Sequence, residues 1–415
     1  MRDLLSVRQA QDQILSVFEP LEPENIPLVE AYERVLSNPI HALRDAPSFT
    51  NSSMDGFAVR SQDVASARPE SPVILAVIED IPAGSVPALA LEPGQAARIM
   101  TGAPLPLGAD AVVPVEDTHL RTKLEGPLPA QVQVLKPAQP GQYIRPRGQD
   151  LQAGQLILEK GLRLRPQDVG MLAALGLAQV GVHRKPRVAL FSSGNELVAP
   201  GTTLQAGQIY DSNQFFLTGL LRSAGAEVIP LGTAQDNPAD IERLVSGALA
   251  FQADLIVTSG GVSVGAFDYV RQVIEAHGKI DFWRVNMRPG KPLAFGSFKG
   301  IPLVGLPGNP VSAFVGCVVF VPPAIRKLSG LANIHGSLVR AVLAHSIESD
   351  GRESYLRCNV TVEQNRYVAR LSQHQGSGNL YSLVDANALL IVPSEVKSLP
   401  AGFDLDVLFI GGESR

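Results

Sequence analysis

The sequence predicts a multidomain protein of the α/β plus β class, with a doubly wound, mainly parallel sheet in the middle of the chain. Its length of 415 residues favours about two to four domains. Residues 183–330 alternate strand-like and helix-like segments, whereas residues 1–182 and 331–415 are rich in short β-like runs. These three patterns of predicted secondary structure define the predicted domains.

The N-terminal region starts with a predicted amphipathic helix, because apolar residues recur there at helical spacing, at Val7, Ala10, Ile14 and Phe18. Short apolar runs bounded by proline and glycine follow, which is typical of strands in small sheets or barrels. They include Val73–Ile78, Ala96–Met100 and Ala111–Val115.

The middle region predicts a parallel sheet, because strands alternate there with helices of 10 to 15 residues. The predicted strands are Arg187–Phe191, Glu227–Leu231 and Ala253–Thr258, and the predicted helices are Ser212–Ala224, Pro238–Phe251 and one from about Phe267. Ligands of such sheets bind beyond the carboxyl ends of the strands. We therefore expect the site residues in the loops that follow the strands.

The last third of the chain predicts a buried helix followed by β structure. Val311–Ile325 is apolar, but it is shorter than a membrane span and contains two prolines. Arg357–Arg370 alternates around a Glu-Gln-Asn-Arg turn, which predicts a β-hairpin.

The composition argues against several functional classes. A net charge of −5 with no long basic run is not that of a general nucleic-acid binder. The N-terminus lacks the apolar core of a signal peptide. The only cysteines, Cys317 and Cys358, support neither a disulfide framework nor a cysteine zinc site. We expect a soluble cytoplasmic protein with no membrane or nucleic-acid partner.

A glycine-rich loop follows the strand Ala253–Thr258, with the sequence SGGVSVG. Its glycines allow a ligand to approach the main chain closely, and its hydroxyl groups are neutral donors. The spacing matches neither of the common nucleotide-binding glycine motifs, so a turn and a binding site are equally compatible with the loop alone. The candidate ligand-binding residues are Ser259, Gly260, Gly261, Ser263 and Gly265.

Three carboxylates follow predicted strands or the loops after them: Glu196, Asp236 and Asp268. Each alone is compatible with a helix cap. Together, at one rim of the sheet, they would repel one another unless a cation or another group compensated their charge. Mg²⁺ prefers such oxygen ligands, so all three are candidate metal ligands.

A basic cluster around a Pro-Gly turn is suited to an oxyanion. Its residues are Arg284, Arg288 and Lys291. A solvated surface loop is the alternative interpretation. The segment GLPGNP follows, with Pro307, Gly308 and Pro310, and Asn309 is a candidate N-cap of the apolar helix.

Further residue types that suit hydrogen bonding to a polar, anionic ligand occur in loops at both ends of the chain. They are Asp55, Thr101 and Asp150 in the N-terminal region, and Arg357 and Ser377 near the C-terminus. Ordinary turns explain each of them equally well.

Taken together, the motifs resemble a known family. The series NSSMDGFAV, MTGAPLPLGADAVV, RPRGQD, FSSGNEL, YDSN, SGGVSVGAFD, RPGKPLAFG, GLPGNPVSAF and HQGSGN resembles MoeA, the molybdopterin molybdenumtransferase family, and the corresponding domains of gephyrin and plant Cnx1. The similarity runs in order through most of the chain.

This resemblance implies a fold and an activity. It implies a small β domain inserted at about 54–140, a MogA-like α/β domain at 183–330 that binds molybdopterin, and a C-terminal β barrel at 331–415. Members of the family insert molybdate into adenylated molybdopterin with Mg²⁺, release AMP, and are homodimers whose clefts use both chains. A MogA-like adenylyltransferase and other proteins of the pathway are implied partners.

The resemblance also implies roles for individual residues. It matches Asp55, Thr101, Asp150, Glu196, Asp236 and Asp268 to catalytic positions, Pro307 and Pro310 to the substrate loop, and Arg284, Arg288, Lys291, Arg357 and Ser377 to molybdate binding. The family often has lysines where Arg284 and Arg288 stand here. The fork of arginine differs from the point charge of lysine, so the geometry of the anion site is expected to differ.

Two other functions remain open from the sequence. The nearest enzymatic alternative is adenylation of molybdopterin by ATP, the reaction of MogA. The other is a binding or scaffold role, as in gephyrin. The PGKP and HQGSGN loops favour molybdate insertion over adenylation.

Overall fold

The computed structural model describes residues 4–121, 126–261 and 269–410. They form two compact units. The first comprises the described parts of Met1–Asn38, Lys160–Val169 and Ala178–Arg415, and the second comprises the described parts of Pro39–Glu159 and Gly170–Leu177. The insertion expected at about 54–140 falls within the second unit.

Several helices begin at a capping side chain or at a proline. α1 is the clearest case, because Ser6 and Gln9 form a reciprocal capping box at its N-terminus. The helices are α1 (Val7–Ser16), α2 (Pro166–Ala174), α3 (Asn213–Ser223), α4 (Pro238–Ala250), α5 (Tyr269–His277), α6 (Pro310–Leu328) and α7 (Tyr381–Asp385).

The N-terminal region folds into short strands, as its punctuated apolar runs predict. The strands are β1 (Pro23–Pro27), β2 (Ile40–His41), β3 (Asn51–Ser52), β4 (Gly56–Val59), β5 (Val73–Ile81), β6 (Gln95–Ile99), β7 (Ala111–Pro114), β8 (Gln131–Val134), β9 (Ile144–Arg145), β10 (Leu156–Leu158) and β11 (Gln179–His183). In the second unit, the described strands β7, β4, β6, β5 and β8 form one sheet in that order around a core that includes Phe57 and Val113.

The middle region forms the doubly wound sheet. Its strands and short bridging strands are β12 (Arg187–Ser193), β13 (Leu197–Val198), β14 (Ile209–Tyr210), β15 (Glu227–Ala234), β16 (Leu255–Ser259), β17 (Gly278–Arg284), β18 (Met287–Arg288), β19 (Pro292–Phe298) and β20 (Ile301–Leu306). The order is β15-β12-β16-β20-β19-β17. The first four strands pair with one another in parallel. β19 pairs antiparallel with β20, and β17 pairs antiparallel with β19. The pairing confirms the predicted mainly parallel sheet.

Helices cover both faces of this sheet because alternate strand residues point to opposite faces. On β12, Val188 and Leu190 pack in one core with α3 and α6, while Ala189 and Phe191 pack in a second core with α4 and α5. The first core also takes in α1: Gln11 Nε2 donates to Val319 O over 3.0 Å.

Among the helices that the structure describes, α6 is the one with the length and apolar composition to cross a membrane. Thirteen of its residues are buried, among them Val311, Cys317 and Phe320. It packs between the sheet, α1 and the C-terminal strands, so it is a core helix of this fold.

The C-terminal region forms the predicted barrel. Its strands are β21 (Val339–Leu343), β22 (Ile347–Glu348), β23 (Glu353–Glu363), β24 (Arg366–Leu371), β25 (Ala388–Val392), β26 (Ser398–Leu399) and β27 (Asp404–Phe409). The ring β23-β24-β21-β27-β25 closes because β25 also pairs with β23. The predicted hairpin is β23–β24, and its turn residues Gln364 and Asn365 have positive φ.

Candidate active site

A cavity of about 500 Å³ lies at the carboxyl ends of the parallel strands, as the doubly wound topology predicts. Loops after β12, β15, β16 and β20 contribute to its lining, which includes Ser193, Gly194, Glu196, Asp211, Asn213, Asp236, Gly260, Gly261, Pro307, Gly308 and Pro310. A larger cavity, of about 750 Å³, lies between α1, α6 and the barrel and contains none of the predicted site residues. The strand-end cavity is therefore the candidate site.

The glycine loop lies against the neighbouring strand end and leaves no space for side chains. Gly260 has φ +92°, and a Cβ atom there would lie 2.4 Å from the carbonyl oxygen of Ser193. At Gly261, φ is +66° and a Cβ atom would lie 2.4 Å from Val270. Both positions therefore require glycine. The remaining predicted residues of this loop, Ser263 and Gly265, lie outside the described residues, as does Asp268.

The cavity brings Glu196 and Asp236 to one rim. Asp236 accepts hydrogen bonds from Ser193 Oγ and from the backbone N–H of Asn195, both over 3.3 Å. It does not cap α4, because Asn237 takes that role and accepts from the N–H of Asp240. The carboxylate of Glu196 is exposed and folds back over Gly194. Neither carboxylate has a cationic side-chain partner among the described residues.

The structure adds a third carboxylate that the sequence interpretation missed. Asp211 is only 3% exposed, and its two oxygens accept from the N–H of Gln214 and from Thr233 Oγ1. It therefore ties the start of α3 to the end of β15. The motif YDSN contains this residue, so the signal was present in the sequence without an assigned role.

Asn213, from the same motif, connects two loops of the cavity. It is 8% exposed, and its Nδ2 donates to Ser259 Oγ over 2.7 Å and to Gly308 O over 2.8 Å. Ser259 Oγ in turn donates to Pro307 O over 3.3 Å. One amide group thus fixes the glycine loop relative to the proline-rich loop.

The proline-rich loop also contacts the C-terminal region. Asn309 occupies the predicted N-cap position of α6, but its side chain does not cap the helix. Its Nδ2 instead donates to Ser377 Oγ over 3.3 Å, and the N–H of Val311 donates to Ser377 O. Ser377 is thereby brought to the N-terminus of α6.

The basic loop begins where β17 ends and reaches the cavity through Pro292, which lines it. Arg284 pairs in register with Pro292, and the N–H of Val285 donates to Lys291 O. Arg284, Arg288 and Lys291 are all exposed. Within the described residues, Arg288 has one acidic partner, Asp350, and the other two basic side chains have none.

Arg357 differs from the other basic residues because it is 1% exposed. Its Nε donates to Ser382 Oγ, and its Nη2 donates to the carbonyl oxygens of His374 and Gly376. It has no carboxylate partner in the part of the chain that the structure describes. Burial, and then the charge of Arg288, lower the pKa of this guanidinium to about 10. Arg357 therefore remains charged at neutral pH and orders the loop that ends in Ser377.

The second unit holds the other predicted residues. Asp55 Oδ1 accepts from the backbone N–H of Thr101 over 2.6 Å and from its hydroxyl over 2.7 Å. The N–H bond, and then the hydroxyl, hold the pKa of Asp55 below its usual value. Asp150 accepts from Arg145 Nη2 and is exposed. Thus Asp55 and Thr101 form a contact pair, and Asp150 has a separate partner.

Of the three candidate metal ligands, Glu196 and Asp236 lie within the described residues. Over residues 4–121, 126–261 and 269–410, no group of three His, Cys, Asp or Glu side chains has the arrangement of a metal site. Glu196 and Asp236 supply the hard oxygen donors that Mg²⁺ prefers.

The fold and the cavity define a doubly wound α/β protein with a polar cavity at its strand ends and a closed barrel in the C-terminal region. Three family models match the chain in order: MoeA N-terminal region (domain I and II) over residues 5–176, probable molybdopterin binding domain over 189–327, and MoeA C-terminal region (domain IV) over 340–410. The chain belongs to the MoeA family of transferases.

Individual relatives match along the full length. Molybdopterin molybdenumtransferase 2 of Mycobacterium tuberculosis is 40% identical over 409 residues, which cover 97% of this chain and 98% of the relative. The molybdopterin molybdenumtransferase of a Nostoc strain is 40% identical over 414 residues, 97% of this chain and 93% of the relative. A solved structure of a MoeA protein from Pyrococcus horikoshii, 33% identical, has a TM-score of 0.83 and covers 99% of this chain and 100% of its own.

Proposed function

We propose that the chain inserts molybdenum from molybdate into adenylated molybdopterin and releases AMP. The observation that carries this proposal is the junction of two anion-binding features. A cavity lined by glycine-loop backbone and carboxylates borders, at Pro292, a loop with three basic residues. Such a junction suits a large phosphorylated ligand beside a small dianion.

The cavity residues bind the pterin and its pyrophosphate. Gly260 and Gly261 let the loop pack closely against Ser193 and Val270 while it lines the cavity, so its main chain is available to a phosphate. Asn213 holds the glycine loop and the Pro307–Pro310 loop in register. Holding both reactants in one cleft contributes proximity and orientation to the rate.

The basic residues bind molybdate. Arg357 is a buried cation without a described carboxylate partner, and a buried charge in that state is costly until an anion approaches. Arg288 lies close enough for its charge to lower the pKa of Arg357. A tetrahedral dianion near these guanidinium groups would relieve their repulsion, with Lys291, Arg284 and the Ser377 hydroxyl as further donors.

Mg²⁺ fits the rim of this cavity. Asp236 and Glu196 lie there without cationic side-chain partners in the described parts of the chain, and Asp268 is the third candidate ligand by resemblance. When bound, the ion would neutralise negative charge on the pyrophosphate. The carboxylates position the metal and the substrate, and no protein nucleophile is required.

A homodimer is also part of the proposal. Three large apolar side chains are exposed within or near the strand-end motifs: Ile209 (54%), Tyr210 (43%) and Phe215 (61%). Ile209 and Tyr210 also line the cavity. A second copy that covered these side chains could bring its own Asp55, Thr101 and Asp150 to the cleft. We place this reaction in the cytoplasm, and a MogA-like adenylyltransferase would supply the adenylated substrate.

The experiment supplies the purified protein with adenylated molybdopterin, Mg²⁺ and molybdate. We expect AMP release that depends on molybdate, with molybdenum retained on the pterin. Asp268→Ala should abolish turnover without loss of folding. If the protein instead forms the adenylate from ATP and molybdopterin, the adenylation reaction is the correct function. If it does neither, the binding or scaffold alternative gains support.

A further inference from the structure

Arg288, in the basic loop, is already paired with an acidic residue of the C-terminal region. Its Nη1 donates to Asp350 Oδ2 over 3.4 Å. This is at the long limit of a hydrogen bond, and both side chains are partly exposed to solvent. The pair is therefore weak and can be exchanged for another partner.

Asp350 itself is held firmly by a different arginine. Arg352 donates to Asp350 Oδ2 from Nε over 3.1 Å and from Nη2 over 2.5 Å, and its backbone N–H donates to Oδ1. Arg352 Nη1 also donates to Met287 O, directly beside Arg288, over 3.3 Å. The carboxylate is thus fixed in place, while Arg288 keeps most of its five donors available for another partner.

We propose that Asp350 is an internal counter-ion of Arg288 that competes with an arriving oxyanion for the Arg288 guanidinium. This inference rests on the proposed function, because it takes the oxyanion to be molybdate at the basic loop. Asp350 is a positioning residue: it holds the guanidinium in place before the anion binds, and it opposes the anion afterwards by like-charge repulsion.

The size of the effect follows from Coulomb attraction and repulsion near a surface. A carboxylate on the far side of a guanidinium is about 7 Å from a dianion, and at the dielectric constant of water its repulsion lowers the binding constant about three- to tenfold. The pKa of Asp350 is lowered by the hydrogen bond from Arg352 and further by the charge of Arg288, so the residue is ionised at neutral pH. Because the pair is exposed, added salt should reduce the effect.

The test measures the affinity of the full-length protein for molybdate alone by calorimetry, at low and at high salt. Asp350→Asn should bind molybdate about three- to tenfold more tightly, and the gain should shrink at high salt. Arg352→Gln frees Asp350 from Arg352, so Asp350 can pair more closely with Arg288. This variant should therefore bind molybdate more weakly than the wild type. The double variant should bind more weakly than Asp350→Asn only by the lost charge of Arg352, and this loss should be smaller than the loss that Arg352→Gln causes in the presence of Asp350.

The double variant separates this role from a general effect of charge. If Arg352→Gln weakens binding equally in the presence and absence of Asp350, the inference is overturned. Glu363→Gln is the matched control: it removes the same charge from the far end of β23, where Glu363 pairs with Arg370, and its affinity should equal that of the wild type.

The outcomes for this inference and for the proposed function are distinct. If the wild type binds molybdate and Asp350→Asn binds it equally or more weakly, the inference fails while the transferase proposal stands. If Asp350→Asn binds molybdate more tightly than the wild type, the inference stands. If the wild type also releases no AMP when it is given adenylated molybdopterin, Mg²⁺ and molybdate, the transferase proposal fails. A wild type that binds no molybdate overturns the inference.

Discussion

Asn309, at the N-terminus of α6, donates a hydrogen bond to Ser377 Oγ over 3.3 Å, which joins the proline-rich loop of the cavity to the loop that Arg357 orders. The geometry of the proposed anion site therefore depends on both the α/β and the barrel regions of the first unit. A change in either loop should alter ligand binding through this contact.

Replacing Arg357 should cost both stability and anion affinity. In Arg357→Met the carbonyl oxygens of His374 and Gly376 lose their donors, so we expect the free energy of unfolding to fall by about 2–4 kcal/mol. Urea titration measures this change, and calorimetry measures the loss of molybdate binding. Arg366→Ala, an exposed arginine of the same barrel, should change stability by less than about 0.5 kcal/mol. Equal losses in both variants would contradict the structural role of Arg357.

Gly260 should tolerate no side chain. Gly260→Ala combines a positive φ with a clash against Ser193 O, so we expect a loss of about 3 kcal/mol or more in the free energy of unfolding. Gly232→Ala is the matched control, because φ there is +94° with no atom within 4 Å of the added Cβ. The difference between the two variants in urea unfolding isolates the clash. No difference would show that Gly260 can move away from Ser193.

Asn213→Ala should loosen the glycine loop and the proline-rich loop together. We expect a higher KM for adenylated molybdopterin with little change in the affinity for molybdate, because the hydrogen bonds of Asn213 hold the two loops that we propose to bind the pterin. Steady-state kinetics and calorimetry measure the two quantities. Thr218→Ala, on the same helix, is the control, since among the described residues the Thr218 side chain bonds only to the carbonyl oxygen of Gln214. A uniform fall in both affinities would argue for general unfolding instead.

The contact between Asp55 and Thr101 should make the stability depend on pH. The pKa of Asp55 in the folded protein lies below its usual value of 3.8. The stabilisation from its ionised form is therefore fully present well above that usual value, and it is lost as the pH falls through the folded pKa. Asp55→Asn should therefore be less stable than the wild type by up to about 1 kcal/mol at pH 7. The gap should close as the pH falls below 3.8 and through the lowered folded pKa of Asp55.

Urea unfolding at a series of pH values measures this gap. Glu70→Gln serves as the control, because Glu70 is exposed and has no described partner; its stability should follow the wild type throughout. A gap for Asp55→Asn that stays constant with pH would show that ionisation of Asp55 does not contribute.

The sequence was sufficient to predict the doubly wound sheet, because apolar strands, amphipathic helices and glycine loops are local patterns. It also predicted that Glu196 and Asp236 share a rim, since the carboxyl ends of parallel strands meet at one edge. It could not predict the burial of Arg357, which depends on closure of the barrel by the pairing of β23 with β25. The side-chain partner of Asn309 likewise lies 68 residues away.

The packing of α1 against α6 has a consequence for synthesis of the chain. Gln11 bonds to Val319, a separation of 308 residues, so α1 emerges from the ribosome long before its partner exists. At about 5–20 residues per second, this wait is on the order of 15–60 s. During that time the apolar stripe of Val7, Ala10 and Ile14 faces water or a chaperone, and the core of the first unit can close only after most of the chain has been made.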